Sequence, residues 1–307
     1  MTGLLGLEHV PRHEILEILD LAEEFVEGDR PVTPQRYRDA LGGAAVGLLF
    51  FEPSTRTRSS FELAVQRLGG YPLVLHSESS SMQKGESEFD TCANLQAMGV
   101  KAFVVRHGER NVPLAISDRL DVPVINAGNG SGEHPTQGLL DVFTLRQALG
   151  TRDLEGVRVA IIGDIVHSRV ARSDVYALRA LGADVVVAGP APLLPTARAS
   201  WDAAFVESRR EALRDADAVI MLRIQRERMH GDALTSSDYV REWGLDELVR
   251  SEQMKAGAFV MHPGPVMRGI ELTNEVADGP TSLILRQAGF GVAIRQAVLL
   301  RLLGGQG

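Results

Sequence analysis

The sequence predicts an α/β fold of two doubly wound domains, each with a mainly parallel sheet flanked by helices, and with a C-terminal helix packing back on the first domain. Two observations predict it. Short apolar runs of strand length alternate with segments of helical period from residue 44 to 149 and again from residue 156, which is what parallel strands joined by crossover helices require. The length of 307 residues also corresponds to about two domains of ordinary size. The expected division is residues 1–133 with 289–307 as one domain and 134–288 as the other.

Ile15, Ile18, Leu19, Ala22, Phe25 and Val26 recur at helical spacing, so the chain should open with an amphipathic helix ending near Gly28. Ala44–Phe51 (AAVGLLFF) reads as a buried strand. Pro53 and Ser54 break it, and Phe61, Ala64, Val65 and Leu68 then mark one face of a helix with Ser54 at its N-cap. Tyr71–His76 (YPLVLH) is the next strand, and the polar, Ser-rich SESSSMQKGESEFD after it reads as a surface loop. A helical stretch over Asp90–Met98 follows, then strands at Lys101–Arg106 and Val122–Asn126. A Gly-rich turn (AGNGSGEHPTQ) leads into a helix over 135–149, with Pro135 suited to its first position.

The second alternation runs through VRVAIIGD as strand, SRVARSDVYALRALG as helix, DVVVAG as strand, a proline-rich connection, and EALRDADAVIMLRIQ as helix and strand. Phe259–Met261 is the last strand, ending in HPGP at His262–Pro265. The C-terminal TSLILRQAGFGVAIRQAVLLRLLGG is helical, with a break expected at Gly289 and Gly291. The turn GDIVHSR lacks the second and third glycines of the dinucleotide fingerprint, so no nicotinamide site is expected.

Composition excludes several classes. With 44% hydrophobic and 23% charged residues the chain is globular rather than disordered. The N-terminal MTGLLGLEHVPRHE has no basic segment and no apolar run approaches membrane-spanning length, so a cytoplasmic location and no membrane association are expected. Cys92 is the single cysteine, which excludes an intrachain disulfide and a cysteine zinc site; it reads as a small buried residue. The net charge of −8 argues against a nucleic-acid partner. It also means that an anionic ligand needs a local convergence of positive groups.

That convergence begins at FFEPSTRTR. Ser54, Thr55, Arg56, Thr57 and Arg58 put hydroxyls and guanidiniums on a first helical turn, where free backbone N–H groups and the macrodipole favour an anion. Arginines at this end oppose the macrodipole, so helix stabilisation does not explain them and phosphate capture does. Ligands of doubly wound sheets bind beyond the carboxyl ends of the strands. Arg106, His134, Arg169, Arg223 and Gln225 all fall at such ends or in the turns after them.

Taken as an ordered set, PSTRTR, the isolated Arg106, HPTQ, RIQ and HPGP, with a loop carrying Ser80, Ser81 and Lys84, resemble the aspartate/ornithine carbamoyltransferase family over nearly the whole chain. The resemblance implies transfer of the carbamoyl group of carbamoyl phosphate to L-aspartate, giving N-carbamoyl-L-aspartate and phosphate, a step of de novo pyrimidine biosynthesis. It implies that Ser54, Thr55, Arg56 and Thr57 hold the phosphate, that Arg106 and His134, joined by Thr57, contact the substrate near its carbonyl oxygen, and that Gln137 holds the carbamoyl NH₂. Gly264 and Pro265 would close the site through their backbone, although glycine stands where some members have leucine. Arg169 and Arg223, with Gln225 beside the second, would bind aspartate, and guanidiniums suit its two carboxylates. Glu52, Arg169 and Arg228 would bridge the domains on closure. Lys84 and one of Ser79, Ser80 and Ser81, with Ser80 the nominal match, would enter a neighbouring subunit's site, so that a homotrimer with shared sites is implied. Catalytic roles fall to Arg56, Thr57, Lys84, Arg106 and His134, and Lys84 also to aspartate binding.

No metal or organic cofactor is implied. A regulatory chain or a dihydroorotase are the further partners to consider. The nearest alternative is an ornithine or other carbamoyltransferase; an ornithine enzyme would carry a cysteine after His262, and Cys92 is the only one in the chain. The alternative from another class is a non-catalytic sensor of a phosphate metabolite.

Overall fold

The computed structural model describes residues 3–76, 86–225 and 235–304. The chain forms two compact units, Met1–Leu140 with Ala288–Gly307, and Asp141–Gln287. His134 and Gln137 therefore belong to the first unit.

The first unit contains β1 (Gly3–Leu4), α1 (Arg12–Glu23), a small hairpin of β2 (Val26–Glu27) and β3 (Arg30–Pro31), β4 (Ala45–Phe50), α2 (Thr55–Arg67) and β5 (Tyr71–His76). It continues with α3 (Glu88–Ala97), β6 (Ala102–His107), α4 (Val112–Ser117), β7 (Val124–Asn129) and the start of α5 (Pro135–Leu149). Five strands make a parallel sheet in the order β1-β7-β6-β4-β5. Leu49, Phe103, Val105 and Val124 face Cys92 of α3 and Ile116 of α4. Leu48 and Val104, one residue out of phase, point to the opposite face and are equally buried. Each large apolar side chain so buried contributes about 1.5–3 kcal/mol. Burial, and then the charge of Glu88, push the Cys92 thiol up to about 12, which makes it an inert core residue.

The second unit contains the rest of α5, β8 (Arg158–Ile162), α6 (Arg169–Ala180), β9 (Asp184–Ala188), β10 (Ala204–Phe205), α7 (Arg209–Leu213) and β11 (Ala218–Met221). Then come α8 (Ser236–Trp243), α9 (Glu247–Gln253), β12 (Phe259–Met261), α10 (Asn274–Ala277) and the start of α11 (Ile284–Leu303). Its parallel sheet has the order β10-β9-β8-β11-β12. One core joins Ile162, Val186, Met221 and Val260 of the strands to Leu213, Tyr239 and Trp243 of the helices. Among the described residues, no helix is long and apolar enough to cross a membrane.

Three local expectations need correction. The first helix stops at Glu23 rather than near Gly28, because the chain turns at once into the β2–β3 hairpin, where Gly28 sits at φ +59° and Val32 N–H donates to Phe25 O at 2.8 Å. Strand β7 runs on through Asn129 into the expected Gly-rich turn. Helix α11 is continuous through Gly289 and Gly291. A glycine in a helix costs about 1 kcal/mol, and the buried run of Phe290, Ala293, Ile294, Ala297 and Val298 outweighs it. A Cβ at Gly291 would lie 2.6 Å from Arg295 Nη1, whereas one at Gly289 would make only an ordinary contact, 3.6 Å from Asp29 O. This stretch of α11 packs on the first unit, as expected, with Arg295 lying over the Phe61 ring and Gln296 Nε2 donating to Thr33 Oγ1 at 2.7 Å.

Candidate active site

Each sheet has one place where the strand order reverses, and each reversal carries polar side chains at its carboxyl edge. In the first unit the reversal lies between β4 and β6. Phe50 pairs with Arg106, and Phe51 N–H donates to Arg106 O at 2.9 Å. The chain leaving β4 passes through Glu52 and turns at Ser54 into α2. Ser54 holds the N-cap position in extended conformation, but its side chain makes no capping hydrogen bond. Thr55 and Arg56 are exposed, Ser54 is half-buried and Thr57 is buried. Ser60 Oγ instead donates back to Arg56 O and Thr57 O, at 2.7 and 2.9 Å, and so fastens the first turn. The exposed face of that turn is an anion-binding geometry.

Arg106, the last residue but one of β6, has its Nε 3.5 Å from Glu52 Oε2. His134 is delivered by the loop after β7. Glu133 N–H donates to Asn129 Oδ1 at 2.7 Å, Asn126 Nδ2 donates to Glu133 O at 3.2 Å, and Leu7 N–H donates to Glu133 Oε2 at 2.7 Å. Gly130, at φ +53°, comes so close to Gly108 that a Cβ would lie 2.4 Å from its carbonyl oxygen. The loop is thus held from several sides just before α5. His134 is buried, and its Nε2 lies 3.3 Å from Thr57 Oγ1. Gln137, also buried, sits one turn further, its N–H donating to His134 O at 2.8 Å. The first unit therefore brings Thr57 and His134 into contact and places Arg106 beside Glu52.

In the second unit the reversal lies between β8 and β11. Gly163, at φ +135°, follows β8 where a Cβ would meet Leu222 O at 2.5 Å, so only glycine lets the two strand ends approach. Asp164, fully buried, comes next. Its Oδ1 lies 2.8 Å from His167 Nδ1, and its Oδ2 accepts from Gln225 N–H at 3.0 Å. Gln225 Nε2 in turn donates to His167 O at 2.9 Å. This ties the segment Arg223–Gln225 to the turn that leads through Ser168, which caps α6 by accepting from Ala171 N–H at 3.2 Å, to the buried Arg169. Arg223 and Gln225 are half-buried. The loop after β12 holds Gly264, half-buried at φ +73°, and an exposed Pro265. His262 is buried and organises this loop: its Nδ1 accepts from Gly264 N–H at 2.8 Å, and its N–H donates to Gln287 Oε1 at 3.0 Å.

Lys84, Ser80 with its neighbours Ser79 and Ser81, and Arg228 lie outside the described residues. The sequence reading missed Asp164 and Glu271 as organisers of the second group. An acid is a weak signal in a sequence, since the Gln225 and Ile224 amides that these two bind lie far along the chain.

A model of the aspartate/ornithine carbamoyltransferase carbamoyl-phosphate binding domain matches residues 3–147, and a model of the corresponding Asp/Orn binding domain matches residues 155–302. The chain belongs to the aspartate/ornithine carbamoyltransferase family. Within that family it is 50% identical over 310 residues to a protein of Xanthomonas oryzae named aspartate carbamoyltransferase catalytic subunit, covering 99% of this chain and 96% of that protein. Among solved structures it resembles the ornithine carbamoyltransferase of Pyrococcus furiosus, with a TM-score of 0.86 and 29% identity over 99% of this chain and 98% of that one. It also resembles an aspartate transcarbamoylase of Trypanosoma cruzi in complex with carbamoyl phosphate and aspartate, with a TM-score of 0.84 and 30% identity over 98% and 97%. Backbone similarity is shared by both branches of the family, so the acceptor has to be read from side chains and sequence identity.

Proposed function

We propose that the chain is a transferase that moves the carbamoyl group of carbamoyl phosphate to the amine of L-aspartate. The observation that carries the acceptor choice is that Arg169 and Arg223 stand on two segments of the second unit that Asp164, His167 and Gln225 tie to each other. Two guanidiniums suit a dicarboxylate and would repel the side-chain ammonium of ornithine. The 50% identity to a protein named for the aspartate reaction supports the same choice.

On this reading Ser54, Thr55, Arg56 and Thr57 hold the phosphate, and Gln137 accepts from the carbamoyl NH₂. The deprotonated aspartate amine attacks the carbonyl carbon. A C–N bond forms, negative charge collects on the carbonyl oxygen, and donors from Arg106, His134 and Thr57 stabilise it. The C–O bond to phosphate then breaks, and the departing phosphate takes the proton that the new C–N centre releases. Gly264 and Pro265 close the site with backbone contacts, and Glu52 and Arg228 act in domain closure. The reaction belongs to de novo pyrimidine biosynthesis in the cytoplasm. Product formation from carbamoyl phosphate with aspartate, ornithine or no acceptor tests the proposal. Turnover with ornithine and none with aspartate would overturn it, and tight binding of phosphate analogues without any turnover would favour a sensor.

We further propose a homotrimer in which Lys84 and Ser80 serve a neighbour's site. Chains carrying Lys84→Ala and chains carrying Arg56→Ala are each expected to be nearly inactive. Mixed trimers of the two should recover activity, because some sites then receive both native residues. Verified mixed trimers that stay inactive would exclude a shared site.

A further inference from the structure

We propose that Glu271 is a positioning residue for the acceptor, its two carboxylate oxygens joining the Arg223–Gln225 segment to the loop that follows His262. This rests on the reading that Arg223 and Gln225 hold aspartate.

Regular pairing in the second sheet ends where Leu222 N–H donates to Ile162 O at 2.8 Å. Beyond that point the backbone of the segment is held by carboxylates instead. Gln225 N–H goes to Asp164, and Ile224 N–H, between the two acceptor-binding residues, donates to Glu271 Oε1 at 3.2 Å. The other oxygen, Oε2, accepts from Met267 N–H at 2.8 Å and lies 4.0 Å from His262 Nε2. One side chain thus spans two loops that have no strand pairing between them. Glu271 is itself anchored, since its carbonyl accepts from Leu245 N–H at 2.9 Å.

Glu271 is fully buried. Burial pushes its carboxyl up from the ordinary range, while the amides of Ile224 and Met267, and then the charge of Arg223, pull it back. A buried carboxylate is costly where an apolar side chain would fill the space, so its retention needs a geometric reason. Only a carboxylate at this position offers an acceptor to both amides. Glutamine keeps one acceptor and turns a donor toward the other N–H. With one tether lost, the Arg223 guanidinium and the Gln225 amide lose their fixed origin while the first unit is untouched.

The test is steady-state kinetics of full-length Glu271→Gln beside the wild type, varying each substrate in turn. KM for aspartate should rise about tenfold or more, with KM for carbamoyl phosphate within about twofold of wild type. An unchanged aspartate KM, or equal losses for both substrates, would overturn the proposal. Hydrogen exchange at the amides of Ile224 and Met267 gives a second readout that needs no turnover: slow at both in the wild type and faster at one or both in the variant. If the wild type fails to carbamoylate aspartate, the functional reading falls, and exchange still decides whether Glu271 tethers the two segments. If Glu271→Gln does not fold, exchange in the wild type decides, and rapid exchange at both amides overturns the proposal.

Discussion

Arg106→Ala is expected to lower kcat/KM for carbamoyl transfer by about a thousandfold, the loss seen when a donor to a developing oxyanion is removed. Arg106 is well placed for such a role. It lies next to the end of the central strand β6, is fixed in register against Phe50, and has a side chain only 15% exposed, with its Nε 3.5 Å from Glu52 Oε2. A charged donor in a partly desolvated site acts more strongly there than in water. Little stability should be lost, because β6 keeps its ladder on both sides. Arg106→Lys should recover only part of the rate, since an ammonium keeps the charge and loses the planar fork. Steady-state assays with thermal unfolding of the same preparations check both statements; an alanine variant within tenfold of wild type would remove Arg106 from the mechanism.

Arg223→Ala is expected to raise KM for aspartate about a hundredfold, the equivalent of one charge-assisted, bidentate contact of roughly 3 kcal/mol. The effect should be confined to the acceptor. Inhibition by a simple dicarboxylate such as succinate should weaken in parallel, and KM for carbamoyl phosphate should stay near the wild-type value. The backbone before Arg223 remains held by the Leu222 N–H bond to Ile162 O, and the backbone after it by Glu271 and Asp164, so the substitution removes a charge more than it disturbs a loop. Equal weakening of both substrates would show that Arg223 supports the fold instead of the acceptor.

The elements of this protein were legible where one physical signal dominates. The strands at 45–50, 71–76 and 259–261 stand out as apolar runs, and α5 falls on its expected bounds because proline opens it and apolar residues sustain it. The helix start at 54–58 was legible because Pro53 and Ser54 break the apolar run just before a segment of helical period. Glycines misled where local conformation and tertiary approach compete. Gly28 belongs to a hairpin and not to a helix end, while Gly289 and Gly291 sit within an unbroken helix whose apolar residues are buried on the first unit. The carboxylates of Asp164 and Glu271 were illegible for a different reason. They bind backbone amides 61 and 47 residues away, and an amide belongs to every residue type except proline, so no partner residue marks the contact in the sequence.

The first unit is discontinuous: its last segment, Ala288–Gly307, follows the whole of residues 141–287. During synthesis the surface that receives Phe290, Ala293, Ile294 and Ala297 must wait for that intervening stretch, about 7–30 s at ordinary elongation rates. The second unit has no such delay, because all its strands emerge in one continuous segment. The order of maturation on the ribosome is thus the reverse of the order in the chain. The half that carries residues 54–58 starts first and finishes last, and until the end of α11 arrives its uncovered core is a surface for chaperones to shield.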